Sequence, residues 1–258
     1  MKTFLKINFI IISFITLSCN KTENVPLQNQ KEEIFLSTQK FSDLNKIDRT
    51  FKIFNDSSYV FTEIVDEANH KRTEIWEGDV KIKNDTLKFS PFELDYNNSE
   101  TAVLKNGFVE FIDGEYLDKM KIEKTSLSVK NLIDFKNFKD YAVFTFYKKF
   151  NNLPSQKDFK NLDLTSKELT KIDIILKQEF SKNNKLKNYS DYYKQVESVQ
   201  NKNGDHIIFI HCYCKDNYLK ESFEYYQSSM MDGGKCNIFI QLNLTTGKIE
   251  VFNIAGLA

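Results

Sequence analysis

An excess of charge of either sign is missing: the 258-residue chain carries 36 Lys+Arg and 36 Asp+Glu, for a net charge of zero. Without a global basic excess, no nucleic-acid partner is expected. Arginine is almost absent, with Arg49 and Arg72 the two in the chain, and alanine is scarce while Lys, Asn, Ile and Phe abound. That bias carries no functional information. Also missing are the local patterns that cradle phosphates or build common active sites. The chain has no phosphate loop, zinc-protease helix, hydrolase elbow or Rossmann glycine pattern, and neither enzymatic activity nor a cofactor is expected. With 41% hydrophobic and 28% charged residues, the composition is globular, neither disordered nor fibrous. At ~100 to 200 residues per domain, the length fits two domains best.

The apolar run over residues 7–17 is too short to cross a membrane, since a spanning helix needs ~20 residues. It follows Lys2 and Lys6, contains no acidic residue, and ends in Thr16, Leu17, Ser18 and Cys19. Residues 1–18 therefore read as an export signal. The ending resembles the lipobox of bacterial lipoproteins, with Thr16 standing where that motif commonly has Leu, Val or Ile. The resemblance implies lipidation of Cys19, with a diacylglyceryl thioether and an acylated amine carrying palmitate-type chains. Several chains together hold far better than one. Asn20, rather than Asp, follows the cysteine, so the resemblance implies the outer membrane as the station, facing either the periplasm or the surface.

Residues 19–33 hold few aliphatic side chains and read as a tether. From residue 50 onward, short runs of period two are punctuated by Asn, Asp, Ser and Gly, with Asn106-Gly107 as a hairpin turn. About eight strands, the last over residues 141–150, predict an antiparallel barrel or sandwich over residues 34–150. A polar connector with Pro154 follows, so a boundary is expected there and a second domain over residues 151–258. Thr165 and Glu168 match a capping box. The helix after it places Leu169, Ile172, Ile175, Leu176 and Phe180 on one face and ends near Asn183-Asn184. Four strands then run over residues 192–200, 205–214, 236–244 and 248–254. The fold class is α+β: a β barrel or sandwich, then a roll of one helix on a four-stranded antiparallel meander.

That second half resembles the cystatin-like and nuclear-transport-factor-like rolls. Residues 192–258, with Asn203-Gly204, Asp232-Gly233-Gly234, Cys236 and the ending Asn253-Ile254-Ala255-Gly256, resemble the C-terminal domain of uncharacterised two-domain bacterial lipoproteins. The resemblance implies fold and location and supplies no catalytic residue. The first half is similar to lipocalin-like lipoprotein domains, which implies an apolar cavity.

The densest chemistry lies in His211, Cys212, Tyr213 and Cys214, with Cys236 further on. On a strand Cys212 and Cys214 share one face while His211 takes the other. Cys236 opens the next strand, opposite the end that bears Cys214, so Cys214–Cys236 is the favoured disulfide, and exported cysteines are normally paired. Cys212 then remains a buried thiol. The competing reading is a zinc or copper(I) site from Cys212, Cys214, Cys236 and His211. Tyr225, Tyr226, Met230 and Met231 form a candidate recognition patch for a protein partner, or pack under their loop. The expected function is that of a lipid-anchored envelope protein that binds a protein partner. Carriage of a small apolar ligand in the barrel and thiolate metal binding are the alternatives.

Overall fold

The computed structural model describes residues 31–42, 46–67, 70–90, 98–114, 117–147, 157–217, 220–227 and 232–255. The export signal, Cys19, most of the tether, the connector around Pro154, and Met230 and Met231 lie outside the described residues.

Eight strands form a closed antiparallel barrel in sequence order: β1 Glu33–Ser42, β2 Lys46–Phe54, β3 Ser58–Glu67, β4 His70–Lys83, β5 Thr86–Ser90, β6 Thr101–Lys105, β7 Phe108–Phe111 and β8 Asp118–Thr125. β1 pairs with both β2 and β8, which removes every sheet edge. Alternation explains why: in β3 the side chains of Tyr59, Phe61, Glu63 and Val65 are buried and their neighbours half-buried, so one face of each strand turns inward. The β6–β7 hairpin turns at Asn106 and Gly107, whose φ values of 51° and 83° lie in the left-handed region open to Asn and Gly. The outer face of β4 presents Lys71, Thr73, Ile75, Glu77, Asp79, Lys81 and Lys83 to solvent. Such a row of charge does not match the apolar band of a membrane-spanning barrel.

The run over residues 141–150, expected to close the barrel, does something else. Its described strand, β9 Tyr141–Phe144, pairs parallel with β11 of a second sheet. Tyr141 packs into the helix-side core while Ala142 and Phe144 pack with Tyr193 and Phe223 on the other side. A strand apolar on both faces belongs in a sheet covered on both faces.

The second sheet is mixed and six-stranded. β11 Tyr192–Gln200, β12 His206–Cys214, β13 Asn237–Asn243 and β14 Lys248–Ile254 form the expected antiparallel meander. β9 and the two-residue β10 Lys160–Asn161 add to the free edge of β11. Helix α1 Ser166–Lys182 buries Leu169, Ile172, Leu176 and Phe180 against Val196, Ile208, Ile210, Cys212, Ile238, Ile240 and Leu242. Its capping box is present as read: Thr165 accepts from the Glu168 amide and Glu168 accepts from the Thr165 amide. A short helix, α2 Lys220–Tyr225, contacts β1, β8, β9 and β11. The chain is thus mostly β, a closed barrel followed by a helix-covered sheet.

Candidate functional site

The cysteine cluster resolves into a disulfide and a buried thiol. Cys214 and Cys236 are bonded, brought together because the β12–β13 register ends at Tyr213 opposite Asn237. Cys212 lies under α1, fully buried, and burial pushes its thiol up to about 12 while the nearby Lys194 ammonium opposes the shift. His211 points to the other face, 5.0 Å from the Phe239 ring centroid, and burial lowers its pKa. In this arrangement two of the thiols of the metal reading are joined in the disulfide and His211 lies on the opposite strand face from the third. Among the described residues no group of three His, Cys, Asp or Glu is placed to hold an ion.

Of the recognition patch, Tyr225 and Tyr226 are described and lie against the barrel. Tyr225 is buried edge-on against Phe41 and Phe108, and Tyr226 stacks on Phe41 at 5.0 Å. Arg49 Nη1 donates to Tyr226 Oη at 2.6 Å. Both rings pack at the barrel end, Tyr225 buried and Tyr226 half-buried.

The barrel interior is filled. Phe35, Phe51, Tyr59, Phe61, Phe89 and Phe111 are all buried, and Phe51 lies 5.7 to 6.3 Å from Phe35, Tyr59, Phe61, Phe89 and Phe111, centroid to centroid. Rings at that spacing pack against one another and leave no room between them for a carried ligand. Toward the end that Tyr226 covers, the lining turns polar. Arg49 Nε donates to Glu63 at 2.6 Å, Arg49 Nη1 to Gln39 Oε1 at 2.8 Å, and Gln39 Nε2 to Asp118 at 2.6 Å. The buried guanidinium is thus met by carboxylates and amides, as a buried charge requires.

One constellation escaped sequence reading. Ser198 Oγ lies 2.6 Å from His206 Nε2, and His206 Nδ1 lies 3.5 Å from Glu168 Oε1. The order hydroxyl, imidazole, carboxylate is that of a hydrolytic triad. Ser198 is only 3% exposed and shares the helix-covered face with Val196. Glu168 is engaged in the helix cap. The three residues tie β11 and β12 to the start of α1.

One open space lies beside the barrel, where it meets β9 of the second sheet. A cleft of about 350 Å³ is bounded by Phe108 and Ile122 on the barrel side and by Phe135, Phe138, Tyr141 and Ala142 on the other. Lys119, Lys121 and Lys139 line it against a single acid, Glu224. Lys121 and Lys139 are exposed, whereas Lys119 is 2% exposed. Because Met120 turns inward on β8, Lys119 must turn outward, into the junction. There its ammonium donates to the Val143 carbonyl at 3.0 Å and sits 4.1 Å from the Phe144 ring and 4.5 Å from Phe108. Burial lowers its pKa to about 8, partly offset by Glu110 and Glu224. Beside it Glu110 accepts from the Thr145 amide at 2.9 Å and from the Thr145 hydroxyl at 2.6 Å. No protein family, curated protein or solved structure matches the chain.

Proposed function

We propose that this chain is a lipid-anchored lipoprotein of the bacterial cell envelope that acts by binding, with the cleft between barrel and sheet as its working surface. The observation that carries the binding half is the contrast between a lumen filled by aromatic rings and a ligand-sized, lysine-lined space beside it. A protein partner docked on Tyr225 and Tyr226 is not part of this reading, because both rings pack against the barrel end. The location half rests on the signal-like residues 1–18, on Cys19, and on a disulfide in the folded body, which fits an oxidising compartment. A lipocalin-like barrel and a cystatin-like roll belong to the same proposal, supported by strand order and by the helix on the meander.

The test is fractionation of a bacterium that expresses the full chain. Wild type is expected in the membrane pellet and to leave it only with detergent, whereas Cys19→Ala is expected in the soluble envelope fraction. Equal partition of the two proteins would overturn the anchor.

A further inference from the structure

We infer that the cleft between the barrel and the second sheet is a binding site for a small aromatic carboxylate, its ring held among Phe108, Phe135, Phe138 and Tyr141 and its carboxylate met by Lys119, Lys121 and Lys139. The inference rests on the reading of the cleft as the binding surface and adds the ligand's chemistry.

Size comes first. At about 30 Å³ per water-sized group, a volume of about 350 Å³ holds roughly a dozen non-hydrogen groups. That is a bicyclic acid, not a peptide or a phospholipid. Shape comes second: four of the lining side chains are aromatic, and an aromatic guest gains edge and face contacts beyond area burial. Charge decides the head group. Three lysines line the cleft against one glutamate, and with Glu110 beside Lys119 counted the local excess is one positive charge in a chain whose net charge is zero. One of those lysines is buried in a setting that penalises its charge, so a bound carboxylate relieves a cost that the empty site bears. The placement of the three is also graded. Lys119 lies at the inner wall and Lys121 and Lys139 are exposed, so an incoming anion meets charge first at the mouth and then inside.

The pH response follows from what faces Lys119. Its charge is opposed by burial and by Lys105, and supported by Glu110 and Glu224. The other contacts of its ammonium are the Val143 carbonyl and the rings of Phe108 and Phe144. As the pH rises through about 8 the ammonium is lost and carboxylate affinity falls with it.

The test titrates the purified chain with 2-naphthoate, followed by the ligand's own fluorescence anisotropy, beside the uncharged 2-naphthamide. The expected result is at least about tenfold tighter binding of the acid than of the amide. The double variant Lys121→Glu with Lys139→Glu, at two exposed positions, should weaken the acid by at least about tenfold and the amide by far less. Wild-type affinity for the acid should drop several-fold between about pH 7 and about pH 9.5, whereas that for the amide should not. Equal binding of acid and amide would overturn the ligand class and leave the cleft as a binding surface. Binding of the acid that ignores the charge reversal would place it elsewhere and overturn the inference. Binding of neither compound would overturn the cleft reading itself.

Discussion

Glu197 carries a carboxyl into the face of the second sheet opposite α1, where it is 6% exposed and its Oε1 has no hydrogen-bond partner among the described residues. Burial raises its pKa from 4.5 to about 7, against a lowering hydrogen bond from Gln227 and with a small push from Glu110. The folded protein thus holds a proton that the unfolded chain releases between pH 4.5 and about 7, so stability falls as the pH rises through that window. Glu197→Gln mimics the protonated form. Urea unfolding of the two proteins should agree near pH 5 and diverge by pH 8, with the variant more stable by roughly 2 to 3 kcal/mol. A difference that is the same at both pH values would contradict the raised pKa. Lys119 has the opposite sign: the folded state sheds its proton early, and the cost of its buried charge is relieved as the pH rises above about 8. Two buried groups that are each uncomfortable when charged lie at the junction of barrel and sheet. One of them lines the only space proposed to take a ligand.

At the scale of elements, the sequence was most informative where a strand's neighbours were close along the chain. The β11–β12 and β13–β14 hairpins were legible because short turns force antiparallel pairing; β12 and β13 are joined by a long excursion through α2, and their pairing brings Cys214 opposite Cys236. The capping box was legible because it is a local contract between Thr165 and Glu168. β9 was not. Its partner β11 lies some fifty residues on and runs parallel to it, and residues 141–144 look like one more barrel strand until the cover on both faces is seen. Lys119 was equally hidden, because an outward lysine on a barrel strand reads as solvated until a second sheet is laid over it. The meander's disulfide has a testable weight. Its cysteines are 22 residues apart, which in the chain-entropy model corresponds to about 3 kcal/mol. Cys214→Ser with Cys236→Ser should lower the unfolding free energy by about that amount. In the wild type, Cys212 should resist alkylation until denaturant is added, because its buried thiol is pushed up to about 12. A Cys212 that reacts in the native state would contradict the burial under α1.

At the scale of the whole molecule, barrel and sheet are joined by polar clamps as well as by apolar contact. Lys105 and Lys130 both pair with Asp163, Glu110 holds Thr145, and Arg49 reaches Tyr226 from inside the barrel end. The residues from Lys31 onward accordingly fall in one compact unit. Clamps of this kind keep the walls of the cleft in register, which preorganises it for a ligand. The chain is proposed to be an exported, anchored body, and it bears a disulfide. This is tested most directly by intact mass spectrometry of the chain extracted from bacterial membranes, with and without reduction and alkylation. The account predicts a chain that begins at Cys19 with its acyl groups attached, one disulfide, and a single thiol that is alkylated only after unfolding. A chain that leaves the cytoplasm without acyl groups, or one with three free thiols, would contradict it.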